Sequence, residues 1–318
     1  MSHLPRSADL PAPRRSPGGS RRRAGAAIGA TAFIALVLLG FVPGIVGTAV
    51  AVLLPWLWIP ALLLALAALR VRGRRWIAVV PVLVWALAVS TSITWLPAAI
   101  TGSAWETDGN LVVASQNVQA GSATADASAR ALQQRGADLI ALTELDAESR
   151  EQAIAELADS HPYSYLVGTV GLWSTLPIVE AHPLDLGLGW RRALAAQVAA
   201  PDGPIEVYVI HAASLRPGSQ SARDTMLRTL GDTIAEDGAE RVVAIGDFNA
   251  AATDPALAAI RAQLDEPRQE AGGFGFTWPA AFPLARIDHV YQRGFEVSGA
   301  QTLRTGDSDH LAILAALG

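Results

Sequence analysis

Hydrophobic and polar positions follow two different rhythms along this chain. From Ala24 to Leu69 there are 46 residues without a formal charge, and residues 76–96, "WIAVVPVLVWALAVSTSITWL", form a second uncharged stretch. At about 20 residues per bilayer crossing, the first stretch holds two spans and the second holds one. "FVPGIVG" (41–47) supplies the hairpin turn inside the first stretch, because Pro-Gly breaks a helix. Beyond residue 110 the rhythm changes to short apolar runs alternating with amphipathic ones. "NLVVASQNV" (110–118), "ADLIALTEL" (137–145), "PIEVYVIHA" (204–212) and "RVVAIGDF" (241–248) read as strands. Between them, residues 125–136, 146–160 and 221–237 read as helices, and "DPALAAIRAQL" (254–264) as a helix with Pro255 at its first position. "RIDHVYQRG" and "FEVSGAQTLR" read as late strands. Helices recur between early strands and strand follows strand late, which predicts a layered α/β sandwich with mixed sheets.

Charge fixes the expected topology. All 24 basic residues are Arg, and ten of them lie in residues 1–75 beside a single acid, Asp9. Residues 1–23, rich in Pro, Ser, Gly and Arg, are expected to be a disordered tail. That tail and "RVRGRR" (70–75) flank the first two spans, so the positive-inside rule puts both in the cytoplasm. Three spans (24–97) then carry a short linker (98–109) and a C-terminal domain (110–318) to the outer face of a bacterial cell membrane. The length of the apolar stretch and the spans behind it disfavour a cleaved signal peptide. Residues 76–318 hold 14 Arg against 28 Asp and Glu, so the domain lacks the basic excess of a typical nucleic-acid binder. Cysteine is absent, which excludes disulfides and thiolate metal sites.

Several strands end in residues that burial alone does not explain. Asn117 ends the first, Glu144 the second and His211 the third; Asp247 and Asn249 follow another. Asp288 and His289 sit in "ARIDHVY", and Asp309 and His310 in "TGDSDHLAIL". Singly, an Asn or Asp at a strand end is a turn former. A carboxylate after "LIALT", however, must be paired, metal-bound or in solvent. Together, Glu144, Asp247, Asp309 and Asn117 are hard oxygen donors suited to Mg²⁺ or Mn²⁺. His211 and His310 can exchange protons near neutral pH, and Asp288 can orient an imidazole. That inventory fits metal-assisted hydrolysis of a phosphate ester. Phe248 is expected to point into the core, and His289 to face away from Asp288 because strand neighbours alternate.

The ordered set "SQNV", "TELD", "VIHAAS", "GDFNA", "RIDHV" and "SDH" resembles the endonuclease/exonuclease/phosphatase family of metal-dependent phosphoesterases across residues 110–318. The resemblance implies a DNase-like, four-layer α/β sandwich with two mixed β-sheets. It implies that Glu144 is the principal metal ligand, with Asn117 and Asp309 near the same ion. His310, held by Asp288, would activate the attacking water. Asp247 would orient that water, Asn249 would contact the scissile phosphate, and His211 would stabilise charge on the phosphate or assist the leaving group. "GLWSTLPI" resembles a family loop in which Ser174 is the nearest match, and "FTWP" suggests that Trp278 lines the site. Where apurinic endonucleases of the family carry an Asp two residues after the first Asn, this chain has Gln119. The anchor-plus-domain layout is similar to that of family members linked to teicoplanin resistance. The expected substrate is therefore a lipid-linked or small extracytoplasmic phosphate, with an extracytoplasmic nuclease and a catalytically inactive scaffold domain as alternatives.

Overall fold

The structure, a computed structural model, describes residues 17–69, 76–95, 110–216 and 218–318. The expected linker, the "RVRGRR" segment and the first sixteen residues of the expected tail lie outside the described residues. Two compact units are distinguished: Met1–Val37 with Trp56–Leu87, and Leu38–Pro55 with Ala88–Gly318.

The apolar third is helical. Helix α1 covers Pro17–Leu39, so it begins inside the stretch expected to be disordered. Helix α2 (Ile45–Leu53) runs through a short 3₁₀ turn into α3 (Trp58–Leu69), and α4 covers Trp76–Val89. Within the first unit, Ala26, Ala27 and Ala30 of α1 pack with Ala65 and Ala68 of α3 and Ile77 of α4. Small side chains let helix backbones approach closely where no hydrophobic difference drives them together. Only Ile45–Leu69 is long and apolar enough to cross a membrane among the described residues; Ala24–Leu39 and Val79–Val89 are shorter apolar helices. The three expected spans are thus reduced to one full-length candidate.

The remainder is a sandwich of two mixed sheets. The first has the order β10-β11-β1-β2-β4-β3, built from Leu111–Asn117 (β1), Leu139–Thr143 (β2), Tyr163–Val167 (β3), Val170–Ser174 (β4), Val297–Leu303 (β10) and Ala312–Leu317 (β11). The second runs β5-β6-β7-β8-β9, from Ile178–Pro183, Ala193–Ala200, Gly203–His211, Val242–Asp247 and Asp288–Arg293. Alternation sorts each strand's side chains between layers. Val113, Leu139, Ala141, Val207, Val209, Val243, Ile245 and Val290 meet between the sheets. Val112, Ala114, Ile140 and Leu142 face outward onto helices α5 (Ala125–Gln134) and α6 (Ala147–Leu157). Tyr208, Ile210, Val242, Ala244 and Phe248 face outward onto α7 (Gln220–Glu236) and α8 (Ala258–Arg261). Helix, sheet, sheet, helix is the four-layer arrangement expected, and Phe248 and His289 lie in the outer layer as expected.

Parallel pairing sits at the centre of each sheet, β1 beside β2 and β7 beside β8, while every other pairing is antiparallel. Two parallel pairs deliver four carboxyl ends, at Asn117, Thr143, His211 and Asp247. Antiparallel β9 brings its first residue, Asp288, opposite Asp247. Gly246 makes the close approach of β7 and β8 feasible: it has φ 138°, and a Cβ there would lie 2.0 Å from the Ile210 carbonyl oxygen. Gly246→Ala is expected to destabilise the folded domain by about 2 kcal/mol or more through backbone strain and a clash. A thermal unfolding midpoint equal to that of the wild type would contradict this.

Candidate active site

The candidate residues extend the inter-sheet stripe of each strand by one step. Asn117 shares the phase of Val113, Asp247 that of Val243 and Ile245, His211 that of Val207 and Val209, and Asp288 that of Val290. The apolar stripe therefore ends in a polar cluster at one edge of the sandwich. All four side chains are buried, Asp247 and Asp288 at 1% exposure each. Glu144 follows β2 in a left-handed conformation, φ 58°, and Asn249 follows β8 with φ 48°. Such backbone is strained for residues other than glycine and concentrates at functional positions.

Asp247 is the centre of the cluster. Its Oδ2 accepts from Asn117 Nδ2 at 3.0 Å and from Asn249 Nδ2 at 3.1 Å, and its Oδ1 accepts from the Asn249 backbone N–H at 2.9 Å. One oxygen or nitrogen from each of Glu144, His211 and Asp247 falls within 4.8 Å of the others, and the same holds for Asp247, Asp288 and His310. Burial pushes the Asp247 carboxyl up, and the charge of Asp288 pushes it further. Glu144 goes the other way, down to about 2, chiefly through the hydrogen bond from His211, whose Nε2 lies 3.4 Å from its Oε1. It remains a charged, partly exposed carboxylate.

His310 donates from Nδ1 to Asp288 Oδ2 at 2.8 Å, which leaves Nε2 for another partner. Burial works against charge on this ring, but Asp288, Asp247 and Asp309 outweigh it and raise its pKa to about 10. Without a bound cation His310 is therefore an imidazolium at neutral pH. Its backbone is pinned too: the His310 N–H donates to Ser308 Oγ, which itself donates to the Asn117 carbonyl, and Gln116 Nε2 donates to the carbonyls of Asn117 and His310.

The donor set fits a hard divalent cation. It offers carboxylate oxygens with no sulfur, and it concentrates buried negative charge that nearby side chains only partly offset. Asp288 Oδ1 adds a buried oxygen with no hydrogen-bond partner. Glu144 and Asp247 would hold the ion, with His211 at its side.

Three expected site residues sit elsewhere. Ser174 pairs with Leu139, at the opposite end of β2 from Glu144, about 16 Å away at about 3.3 Å per residue. Its hydroxyl donates to the Leu176 carbonyl and accepts from the Leu176 N–H, so it closes a turn and is excluded from the site. Asp309 belongs to neither cluster; its Oδ2 accepts from Trp278 Nε1 at 3.1 Å, and its backbone N–H donates to Gln119 Oε1. Trp278 is 40% exposed and stands at the rim beside Asp309.

Two arginines that the motifs do not mark support the cluster. Arg192 is buried at 7% exposure and its Nη2 donates to His211 Nδ1 at 2.8 Å, with the same group also against Nε2. A guanidinium can only donate, so Arg192 presents N–H groups to the His211 ring. Arg223, fully buried on α7, donates to the Asn249 carbonyl at 2.9 Å and pairs with Asp254 at 3.1 Å, bracing the turn after β8. The only sequence signal for either was an Arg at an amphipathic boundary.

The sequence model of the Endonuclease/Exonuclease/phosphatase family matches residues 114–310. Among solved structures, truncated TDP2 from Caenorhabditis elegans aligns at 16% identity with a TM-score of 0.56, covering 66% of this chain and 98% of that one. Sphingomyelinase C from Streptomyces griseocarneus aligns at 17% identity with a TM-score of 0.53, covering 66% and 99%. D. rerio TDP2 complexed with a single-strand DNA product aligns at 19% identity with a TM-score of 0.54, covering 66% and 100%. At these identities the likeness establishes the fold. Comparison with curated proteins gives no match.

Asp288→Asn is expected to bring the His310 pKa well below about 10 in the metal-free protein, because an opposite charge in contact favours the imidazolium. The present native pKa lies above the unfolded value of about 6.5, so this pair stabilises the metal-free fold below that pH and the benefit fades as pH rises through about 10. Imidazole NMR titration measures it; an unchanged His310 pKa in Asp288→Asn would refute the assignment.

Proposed function

This chain belongs to the endonuclease/exonuclease/phosphatase family, whose members are generally metal-dependent hydrolases of phosphate esters, and we propose that it is a membrane-anchored, Mg²⁺- or Mn²⁺-dependent phosphoesterase acting on a lipid-linked or small extracytoplasmic phosphate. The observation that carries the reading is the pair of ligand clusters sharing Asp247 at the end of the inter-sheet core. A bound divalent cation would supply charge neutralisation and polarise a phosphoryl oxygen.

The roles then follow from geometry. Asp288 holds the His310 ring through Nδ1, so Nε2 faces the reacting water. His310 accepts that water's proton once the surrounding negative field has been neutralised. Asp247, fixed by Asn117 and Asn249, aligns the water against phosphorus. Water adds its oxygen to phosphorus, the ester P–O bond breaks, and the departing oxygen takes a proton. His211, held by Arg192, would stabilise the charge that grows on the phosphate or assist the leaving group. Asn249 would contact the scissile group and Glu144 would be the principal cation ligand, with Asn117 beside it and Asp309, outside both ligand clusters, contributing charge at longer range. Trp278 lines the rim.

Anchoring is supported by two further features. The hairpin segment Leu38–Pro55 and the exit of the last apolar helix, from Ala88, share one unit with residues 110–318, as a three-span topology with an outer catalytic domain requires. In that unit Thr48 of α2 accepts from Arg223 Nη2 at 2.9 Å, and Arg223 also holds the Asn249 carbonyl. Leu63, Leu69, Leu83 and Leu87 are each at least 60% exposed, as lipid-facing side chains would be. The cytoplasmic placement of the N-terminus is part of this proposal. A nuclease is the second reading, favoured by the fold shared with a TDP2 that was solved with a single-strand DNA product.

Full-length protein in detergent with Mg²⁺ is expected to release phosphate from a polyprenyl diphosphate, to lose that activity with a chelator, and to lose about a hundredfold or more in Asp247→Ala and His310→Ala. Plasmid nicking without phosphate release would overturn the substrate class in favour of the nuclease. Wild-type turnover in both variants would overturn the site. No hydrolysis of either substrate would point to a scaffold domain.

A further inference from the structure

Beside the catalytic cluster lies a cavity of about 530 Å³ whose wall the proposed chemistry leaves unused. Glu144, His211, Arg192, Arg216, Ser219 and Trp190 line it. Resting on the phosphoesterase reading above, we propose that this cavity is a second anion subsite, which holds a phosphate linked directly to the one being hydrolysed, so that the substrate class is a diphosphate.

Three independent features converge there. Arg192 is buried, stacks on Trp190 with its guanidinium carbon 4.5 Å from the ring centroid, and has an Nε with no hydrogen-bond partner. Leaving a buried donor of a charged group unmet is costly unless a ligand meets it. Arg216 faces the same cavity, close enough for its charge to act against that of Arg192. Arg216 thus adds positive charge to a space where Asp247 and Glu144 act on Arg192 in the opposite sense. The N-terminus of α7, a 17-residue helix, opens on the cavity through Ser219 and Ala222, and no side chain caps its first turn. Free N–H groups and the positive end of the helix dipole favour an anion there.

The two acids on the wall each have another partner. Asp146 is committed to capping α6, accepting from Ser149, and also accepts from the Gly121 N–H. Glu144 is turned to the cation cluster. Spacing selects the linkage. Arg192 touches the His211 ring, so an anion on Arg192 is immediate neighbour to a phosphate on His211. A bridging oxygen spans that gap; a sugar between successive phosphates of a strand does not fit so short a step.

Calorimetric titration of the full-length protein in detergent, with Mg²⁺ in excess, compares methylenediphosphonate, methylphosphonate and the dinucleotide pTpT. Wild type is expected to bind methylenediphosphonate about tenfold or more tighter than methylphosphonate, the scale of one charge-assisted contact. Arg216→Ala, an exposed position whose loss spares the core, is expected to reduce that preference to about threefold or less. Equal binding of the two phosphonates by wild type, or a preference undiminished in Arg216→Ala, would overturn the subsite. Tightest binding of pTpT, weakened by Arg216→Ala, would overturn it in favour of a nucleic-acid strand. Since the readout is binding, failure to hydrolyse any phosphate ester would strike the phosphoesterase reading and leave this one standing.

Discussion

The structure turns on the repulsion between two buried carboxylates, Asp247 and Asp288, placed opposite each other across β8 and β9. Their oxygens lie within 4.8 Å, and two such charges repel by about 3 kcal/mol at an effective dielectric of about 20. Hydrophobic burial of the inter-sheet core forces this proximity, because the same alternation that puts Val243, Ile245 and Val290 inside also puts Asp247 and Asp288 there. Protonated His310 offsets part of the repulsion, and Asn117 and Asn249 offer amide donors to Asp247. A divalent cation held by Glu144 and Asp247 would complete the compensation. Stability and function are coupled here: what strains the metal-free site is what would draw the ion in.

Much of this was legible in the sequence because it rests on period-two strands with conspicuous ends. β1, β2, β7 and β8 were each marked by an apolar run that stops at a polar residue and β9 by a strand that opens on one, and the site is where these meet. The strands β3 to β6 were not read. "YSYLV" and "IVEAHP" are short, half-exposed edge segments whose burial lacks a clean alternation. Ser174 was misplaced because a motif likeness gives no register; pairing with Leu139 sends it to the far end of the sheet. Arg192 was missed since nothing local distinguishes an Arg that enters the core from one that ends a loop; only the approach of β6 to β7 brings it to His211.

The apolar third shows a different limit. Hydropathy counts residues without charge, and helices count turns, so among the described residues three expected spans appear as one 25-residue helix and two shorter ones. The turn at Pro43-Gly44 and the alanine packing of α1 with α3 preserve the hairpin. Arg223 ties α2 to the turn after β8, since one guanidinium reaches both Thr48 and the Asn249 carbonyl.

The central claim is that buried carboxylates at one end of the sandwich form a cation site. Titrating Mn²⁺ into the full-length protein, with free ion followed by electron paramagnetic resonance, tests it most directly. The account expects saturable binding that Glu144→Gln or Asp247→Asn weakens at least about tenfold, since each removes one charged ligand, while Ser174→Ala binds as wild type does. Equal Mn²⁺ affinity in the wild type and both carboxylate variants would contradict it.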